Sequence, residues 1–255
     1  MTVQLDNHRA AIVGGAGAIG AAICREYAAA NARVAVLDVD HAAATALARS
    51  LVGGEHEGAA VDVTNPSAVE AVLDSLGDFD SIVYCAGVAF TADLAVTDWS
   101  EYRRLMGVNL DGAFFVGKAF ARRMIEAGRS GSIVFLTSTA GLRGEAGASA
   151  YCASKFAVIG LVESLAAELT RREIRVNAVA PGNVDSPLLR SVAAKQAQRE
   201  GTTEANMLSR FAHSGAARRL VTPDEVATTV VWLASPAASG ITGTVVRVDA
   251  GQMVG

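Results

Sequence analysis

Short runs rich in valine and isoleucine alternate along the chain with longer stretches whose apolar residues recur at helical spacing. The runs predict strands at Arg9–Gly14, Arg33–Asp38, His56–Val61, Asp80–Cys85, Gly131–Ser138, Ile174–Ala180 and Thr244–Val248. The stretches between them predict helices at Ala18–Ala30, His41–Leu51, Pro66–Leu76, Trp99–Ala127, Tyr151–Arg172 and Pro223–Ala234. Seven strands separated by six helices read as repeated strand–helix–strand units. Right-handed crossovers then lay the strands parallel, with helices on both faces of the sheet. Strands that are apolar throughout, without alternation, are what two covered faces require. The predicted fold class is α/β, a doubly wound parallel sheet of seven strands flanked by helices.

No Pro/Gly/Ser-rich linker and no repeat divides the 255 residues, so residues 1–255 read as a single domain. That length is ample for one core. With 51% hydrophobic residues the chain is not disordered. A net charge of −4 argues against a nucleic-acid partner, which calls for clustered Lys and Arg. Cys24, Cys85 and Cys152 share no disulfide or metal-ligand spacing, which predicts a reduced, cytoplasmic setting and no metal. No uninterrupted apolar segment reaches the ~18 residues of a membrane span. A leader reading of the first 30 residues is weakened by Asp6 and by the glycines after Ala10.

The first predicted strand runs into Gly14-Gly15-Ala16-Gly17-Ala18-Ile19-Gly20, and Gly15-x-Gly17-x-x-Gly20 opens the first helix. Glycines there permit a tight turn and close backbone approach, and the helix start offers free N–H groups to a pyrophosphate. Asp38 closes the next strand, 18 residues after Gly20. A strand–glycine loop–helix followed by such a carboxylate is a dinucleotide-binding pattern. The bland alternatives are a tight turn without a ligand and, for Asp38, a helix N-cap. Asp38 predicts NAD over NADP. It accepts from ribose hydroxyls and repels a 2′-phosphate, and Val39 and Asp40 follow it rather than Arg or Lys.

Tyr151 and Lys155 stand four apart at the start of a predicted helix, hence on one face. A nearby ammonium stabilises a phenolate, so the pair predicts a lowered Tyr151 pKa and a general acid/base. By itself such a pair is more often a solvated helix face. Ser138, at the carboxyl end of the preceding predicted strand, points where ligands bind in open α/β sheets and can donate to a developing alkoxide.

Taken together, these motifs resemble the classical short-chain dehydrogenase/reductase family over essentially the whole chain. The resemblance implies a Rossmann-type, NAD(P)-binding fold. Gly14–Gly20 is similar to the family's T-G-x-x-x-G-x-G loop, with Val13 at the Thr position and Ala18 at the middle Gly. This implies cofactor contacts from Gly14, Gly17, Ala18 and Ile19. Asp62-Val63 resembles the acidic-apolar pair at the adenine. Tyr84-Cys85-Ala86-Gly87 stands where the family has N-N-A-G, which implies cofactor contact from Cys85, Ala86 and Gly87. Both Asn positions have changed, so the fourth strand must be stabilised otherwise. Asn109 matches the helix Asn whose carbonyl anchors a water near the catalytic Lys. Ser138, Tyr151 and Lys155 match the catalytic set at its 13-residue Ser–Tyr spacing. Tyr151 and Lys155 also reach the nicotinamide ribose. Pro181, Gly182 and Val184 match the segment beside the nicotinamide, and Ser186 takes the place of a Thr on its carboxamide.

The implied activity is NAD-dependent interconversion of a secondary alcohol and its ketone. A 3-oxoacyl-thioester reductase is the alternative enzyme, and a non-catalytic NAD(H) sensor the alternative of another class. From about Asn183 to Arg219 no strand is predicted, only polar helical pieces around Leu188–Arg199 and Glu204–Ala212. Such an insertion at a strand's carboxyl end reads as a substrate lid, against a plain surface excursion. Leu188, Leu189, Met207, Leu208 and Phe211 offer either a pocket roof or packing of the lid itself. His213 and Arg143 read as surface charges more readily than as substrate contacts. A small molecule is the expected partner. Family resemblance implies a homotetramer through the long helices Trp99–Ala127 and Tyr151–Arg172.

Overall fold

The structure, a computed structural model, describes residues 3–254. β1 (Arg9–Val13) lies at the middle of one parallel sheet, between β2 (Arg33–Asp38) and β4 (Ser81–Tyr84). β3 (Glu57–Ala60) adds one edge beside β2. β5 (Gly131–Leu136), β6 (Ile174–Pro181) and β7 (Val245–Val248) extend the other side. The order is β3-β2-β1-β4-β5-β6-β7. It reverses between β1 and β4, and a doubly wound sheet binds its ligands outside the strand ends at such a switch point.

Alternate residues of each strand serve opposite faces. Ala10 and Ile12 of β1 join one core with α1 (Ala18–Ala29), α2 (His41–Ser50) and α9 (Pro223–Ala234). Ala11 and Val13 join the other, with α3 (Pro66–Leu76), α5 (Gly112–Glu126) and α6 (Ser149–Leu169). Neither face of β1 can accept a charge, which is why the strand reads as continuously apolar.

Three departures from the sequence prediction bear on the site. The single helix expected over Trp99–Ala127 is α4 (Trp99–Met106) and α5 joined by a π-helical turn at Gly107–Asp111. That turn carries Asn109, and inserted π turns are frequent at functional sites. β5 ends at Leu136, two residues short of the expected Ser138. The predicted helix at Tyr151 begins at Ser149, and its last turn, Thr170–Arg172, tightens to 3-10 geometry. By length and composition this stretch, Ser149–Arg172, would cross a membrane. Here it lies on the sheet, with Val158, Val162 and Ala166 buried and Lys155 folded inward.

The polar insertion forms α7 (Pro187–Glu200) and α8 (Glu204–His213). Ser186 caps the first, ahead of a proline at its start, and Thr203 caps the second. A parallel bridge between Val184 and Val221 closes the base of the excursion.

Candidate active site

The turn after β1 is set by steric limits. Gly14 has φ +80°, and a Cβ there would lie 2.5 Å from the Ala86 amide nitrogen. A Cβ on Gly20 would lie 2.2 Å from the Gly14 carbonyl oxygen. Gly14 and Gly15 both donate backbone N–H to Leu37 O, at 2.8 and 3.0 Å, which ties the loop to β2. Gly17 is the N-cap of α1 and has no side chain to cap it. The first amides of Ala18 and Ile19 therefore face out of the helix with no side-chain acceptor, an arrangement suited to an anion.

Asp38, half-buried at the end of β2, accepts from Ala16 N at 3.0 Å and from Asp40 N at 3.2 Å. The N-cap of α2 is Asp40, whose carboxylate accepts from Ala43 N. The capping alternative for Asp38 is thereby excluded. Val61 N donates to Asp38 O, which brings the segment after β3 alongside. In that segment Asp62 is exposed, and accepting from Thr64 N and Oγ1 lowers its pKa. Val63 is buried in the core, so its side chain packs there rather than facing a ligand.

Cys85 answers the question left by the missing asparagines. Its thiol donates to Val13 O at 2.9 Å and lies 3.4 Å from Gly14 O, a weak S–H substitute for amide bonds between β4 and β1. Burial pushes that thiol up to about 12, so it stays protonated. Tyr84 adds a second tie, from its hydroxyl to Val108 O in the π turn. Ala86 and Gly87 follow at the edge of the crevice. A side chain on Gly87 would begin 3.6 Å from both Asn109 Oδ1 and Lys155 Nζ.

Asn109 is fully buried. Its amide exchanges hydrogen bonds with Val88, accepting from N at 2.9 Å and donating to O at 3.0 Å, and donates to Ser154 Oγ at 3.1 Å. Ser154 in turn donates to Tyr151 O. The π turn, the loop after β4 and the start of α6 are thus locked together. Lys155, 5% exposed, donates to Leu136 O at 3.0 Å, and its Nζ lies 5.8 Å from the Tyr151 ring centre. Burial lowers its pKa to about 8, so it is mostly cationic at neutral pH.

The expected lowering of Tyr151 is not found. Burial pushes its phenol up to about 12; the Ser138 hydroxyl pulls it down, while Glu145 adds to the rise. Removal from water dominates, and the Lys155 ammonium is held toward Leu136. Ser138 itself lies just beyond β5 in extended backbone, capping a 3-10 turn by accepting from Ala140 N at 3.1 Å.

Ser138 and Tyr151 line a cleft of about 290 Å³. The same cleft is bordered by Ile19, Pro181, Gly182, Val184 and Ser186. The expected catalytic pair and the expected nicotinamide-side residues therefore meet in one space. Ser186 uses its oxygen to cap α7, accepting from Leu189 N at 3.2 Å, and keeps its O–H to donate. The lid contributes Leu188, Leu189 and Phe211. Met207 and Leu208 instead pack with Ala193 and Ala197 inside the lid. His213 and Arg143 are exposed, and neither lines the cleft. Thr91, Glu145 and Gln196 do line it and were not singled out in the sequence. Glu145 carried one available signal, its place between Ser138 and Tyr151.

A profile described as Enoyl-(Acyl carrier protein) reductase matches residues 14–253. A crystal structure of a short-chain type dehydrogenase/reductase from Mycobacterium marinum superposes with a TM-score of 0.90 at 30% identity, covering 99% of this chain and 98% of that one. The chain belongs to the short-chain dehydrogenase/reductase family. Among its relatives, a galactitol 2-dehydrogenase from Agrobacterium fabrum is 34% identical, covering 98% of this chain and 99% of the relative. A D-threitol dehydrogenase from Mycolicibacterium smegmatis is 36% identical, covering 98% and 95%. The family is one of nicotinamide-dependent oxidoreductases, and this chain is a secondary-alcohol oxidoreductase of it. The residues present fit such a cofactor: a tight glycine turn held against the backbone by Gly14 and Gly20, and an uncapped helix start beside it. Among the described residues no cluster suited to a metal occurs.

Proposed function

We propose that this enzyme oxidises a secondary carbinol of a small polyol, or reduces the corresponding ketone, with NAD as its cofactor. The carrying observation is the shared cleft, which Tyr151 and Ser138 border together with Ile19, Gly182 and Ser186. NAD would be held by Gly14, Gly17, Ala18 and Ile19 at the pyrophosphate and by Asp38 at the adenosine ribose. Asp62 and Val63 would flank the adenine, and Cys85, Ala86 and Gly87 would border the cofactor. Pro181, Gly182, Val184 and Ser186 would border the nicotinamide. When bound, the nicotinamide supplies hydride transfer. The preference for NAD rests on the Asp38 carboxylate, and the polyol on what the named relatives act on.

Ser138 and Tyr151 orient the substrate oxygen. Tyr151 holds its proton at neutral pH, the state needed to donate to a ketone oxygen. In the oxidative direction it must give that proton up, and alkaline pH assists. Lys155 has three donors and commits one to Leu136 O. The others serve the cofactor ribose and the phenol oxygen. Asn109 fixes the turn that backs Lys155 and would anchor a water for proton return. Outward-facing Phe114 and Phe156, on α5 and α6, support assembly as a homotetramer. The three free thiols are those expected of a cytoplasmic protein.

The test is Tyr151→Phe. NADH binding by fluorescence stays near wild type, and turnover of an accepted alcohol falls at least ~10²-fold. Turnover within a few-fold of wild type refutes the assignment.

A further inference from the structure

We propose that Thr91 and Glu145 form a grip for a second substrate hydroxyl, next to the reacting carbinol, and that this grip selects uncharged vicinal polyols over anionic alcohols. The inference rests on the alcohol-dehydrogenase reading and deepens it.

Three side-chain hydroxyls among the described residues are buried without a hydrogen-bond partner: those of Thr45, Thr91 and Ser132. Only Thr91 borders the cleft. A buried hydroxyl left unpaired is destabilising, and such a group asks for an explanation. A turn of the Thr91 side chain about its Cα–Cβ bond would present that hydroxyl to a ligand hydroxyl in the cleft, which would supply the missing partner.

Glu145 borders the same cleft from the loop that precedes α6. Ala92 N donates to Gly147 O at 2.9 Å, tying the residue after Thr91 to the loop that carries Glu145. The two side chains offer complementary chemistry. A carboxylate only accepts, and a threonine hydroxyl can donate. One substrate hydroxyl can donate to Glu145 and accept from Thr91 at once, which no hydrogen, methyl or ketone can do. Glu145 is exposed at the mouth of the cleft; loss of hydration there raises its pKa, and Arg143 on the same loop opposes the rise.

Charge selection follows from the lining. Glu145 is the one ionisable group there besides Tyr151, and among the described residues no Lys, Arg or His borders the cleft. Arg143 is exposed, and Arg199, which approaches Gly147, is paired with Asp93 at 2.9 Å. A phosphate or carboxylate on the substrate would therefore meet a negative charge with no cation in the cleft to receive it.

The experiment compares kcat/KM for 2,3-butanediol, 2-butanol and 3-hydroxybutanoate, with a wider panel of secondary alcohols for the parent reading. The wild type should favour the diol at least about tenfold over each of the other two, as a site built for a hydroxyl rejects an analogue lacking it. Thr91→Val should lower the diol-to-monoalcohol ratio at least about fivefold, and Thr91→Ser should restore it. Glu145→Gln should raise 3-hydroxybutanoate relative to the diol at least about fivefold. NADH binding by each variant reports whether it is folded, and Thr91→Ala, which also lacks the hydroxyl and should lower the ratio by the same factor, carries the test if Thr91→Val is not folded. Ratios unmoved in folded variants, a wild type that prefers the carboxylate, or activity on other alcohols but not on the diol overturns the grip alone. Silence across the whole panel overturns the alcohol-dehydrogenase reading and the grip with it.

Discussion

Replacing Lys155 by Met should change how stability depends on pH. The ammonium is 5% exposed, and burial lowers its pKa from 10.5 to about 8. Below about pH 8 it is protonated in both the folded and the unfolded chain, and folding bears the full cost of burying the charge. At 1.36 kcal/mol per unit, a shift of this size is about 3 kcal/mol. Between the two pKa values the unfolded chain binds more protons than the folded one, so stability rises with pH. From pH 7 to pH 9.5 the relief is about 2 kcal/mol, most of the total. Methionine has a similar shape and no charge, so Lys155→Met lacks this rise. The substitution also removes the donor to Leu136 O, which offsets part of the gain at pH 7, so the slope is the decisive quantity. Urea unfolding of both proteins at pH 7 and pH 9.5 measures it. The wild type should gain about 2 kcal/mol on the variant between the two. Parallel pH profiles would mean that Lys155 is not desolvated as described, and the argument would fail.

Two further outcomes are expected. Asp38→Ser should narrow the preference for NAD over NADP at least about tenfold in kcat/KM, equivalent to about 1.4 kcal/mol, because it removes the carboxylate that a 2′-phosphate would face; an unchanged ratio rejects that role. Gly14→Ala should lose about 2–4 kcal/mol in urea unfolding, combining a strained positive φ with a Cβ at 2.5 Å from the Ala86 amide; a loss under 1 kcal/mol would contradict the close approach.

The sheet and its order of elements were legible because its inner strands, β1, β2, β4, β5 and β6, are almost wholly buried, whereas the edge strands β3 and β7 are only partly so. Burial on both faces leaves short continuous apolar runs such as Ala10–Val13. The glycine loop was legible for a steric reason, since Gly14 and Gly20 stand where any larger residue collides. What escaped was set by tertiary contact. The π turn at Gly107–Asp111 is one added residue's worth of backbone within a pattern that stays helical, and nothing in its composition marks it. The direction of the Tyr151 shift depends on how far the cleft excludes water and on where Lys155 is aimed, and spacing along a helix specifies neither. Thr91 and Glu145 are 54 positions apart, and their loops are joined by a backbone hydrogen bond from Ala92 to Gly147. No periodicity records such a contact.

Unfavourable groups concentrate where the chemistry is assigned. A buried ammonium at Lys155, a phenol pushed up at Tyr151, an unpartnered hydroxyl at Thr91 and a left-handed glycine at Gly14 all lie at the carboxyl ends of the strands. None of them can relax independently. Lys155 is pinned to β5 through Leu136, the π turn to the loop after β4 through Asn109 and Val88, and the glycine loop to β2 through Leu37. Each tether ends on a strand or on a segment leaving one, and the strands are fixed by two apolar cores. The sheet can therefore hold these groups in arrangements they would abandon in water. Loss of packing beneath the site should accordingly reduce turnover before it unfolds the protein, because the tethers loosen first.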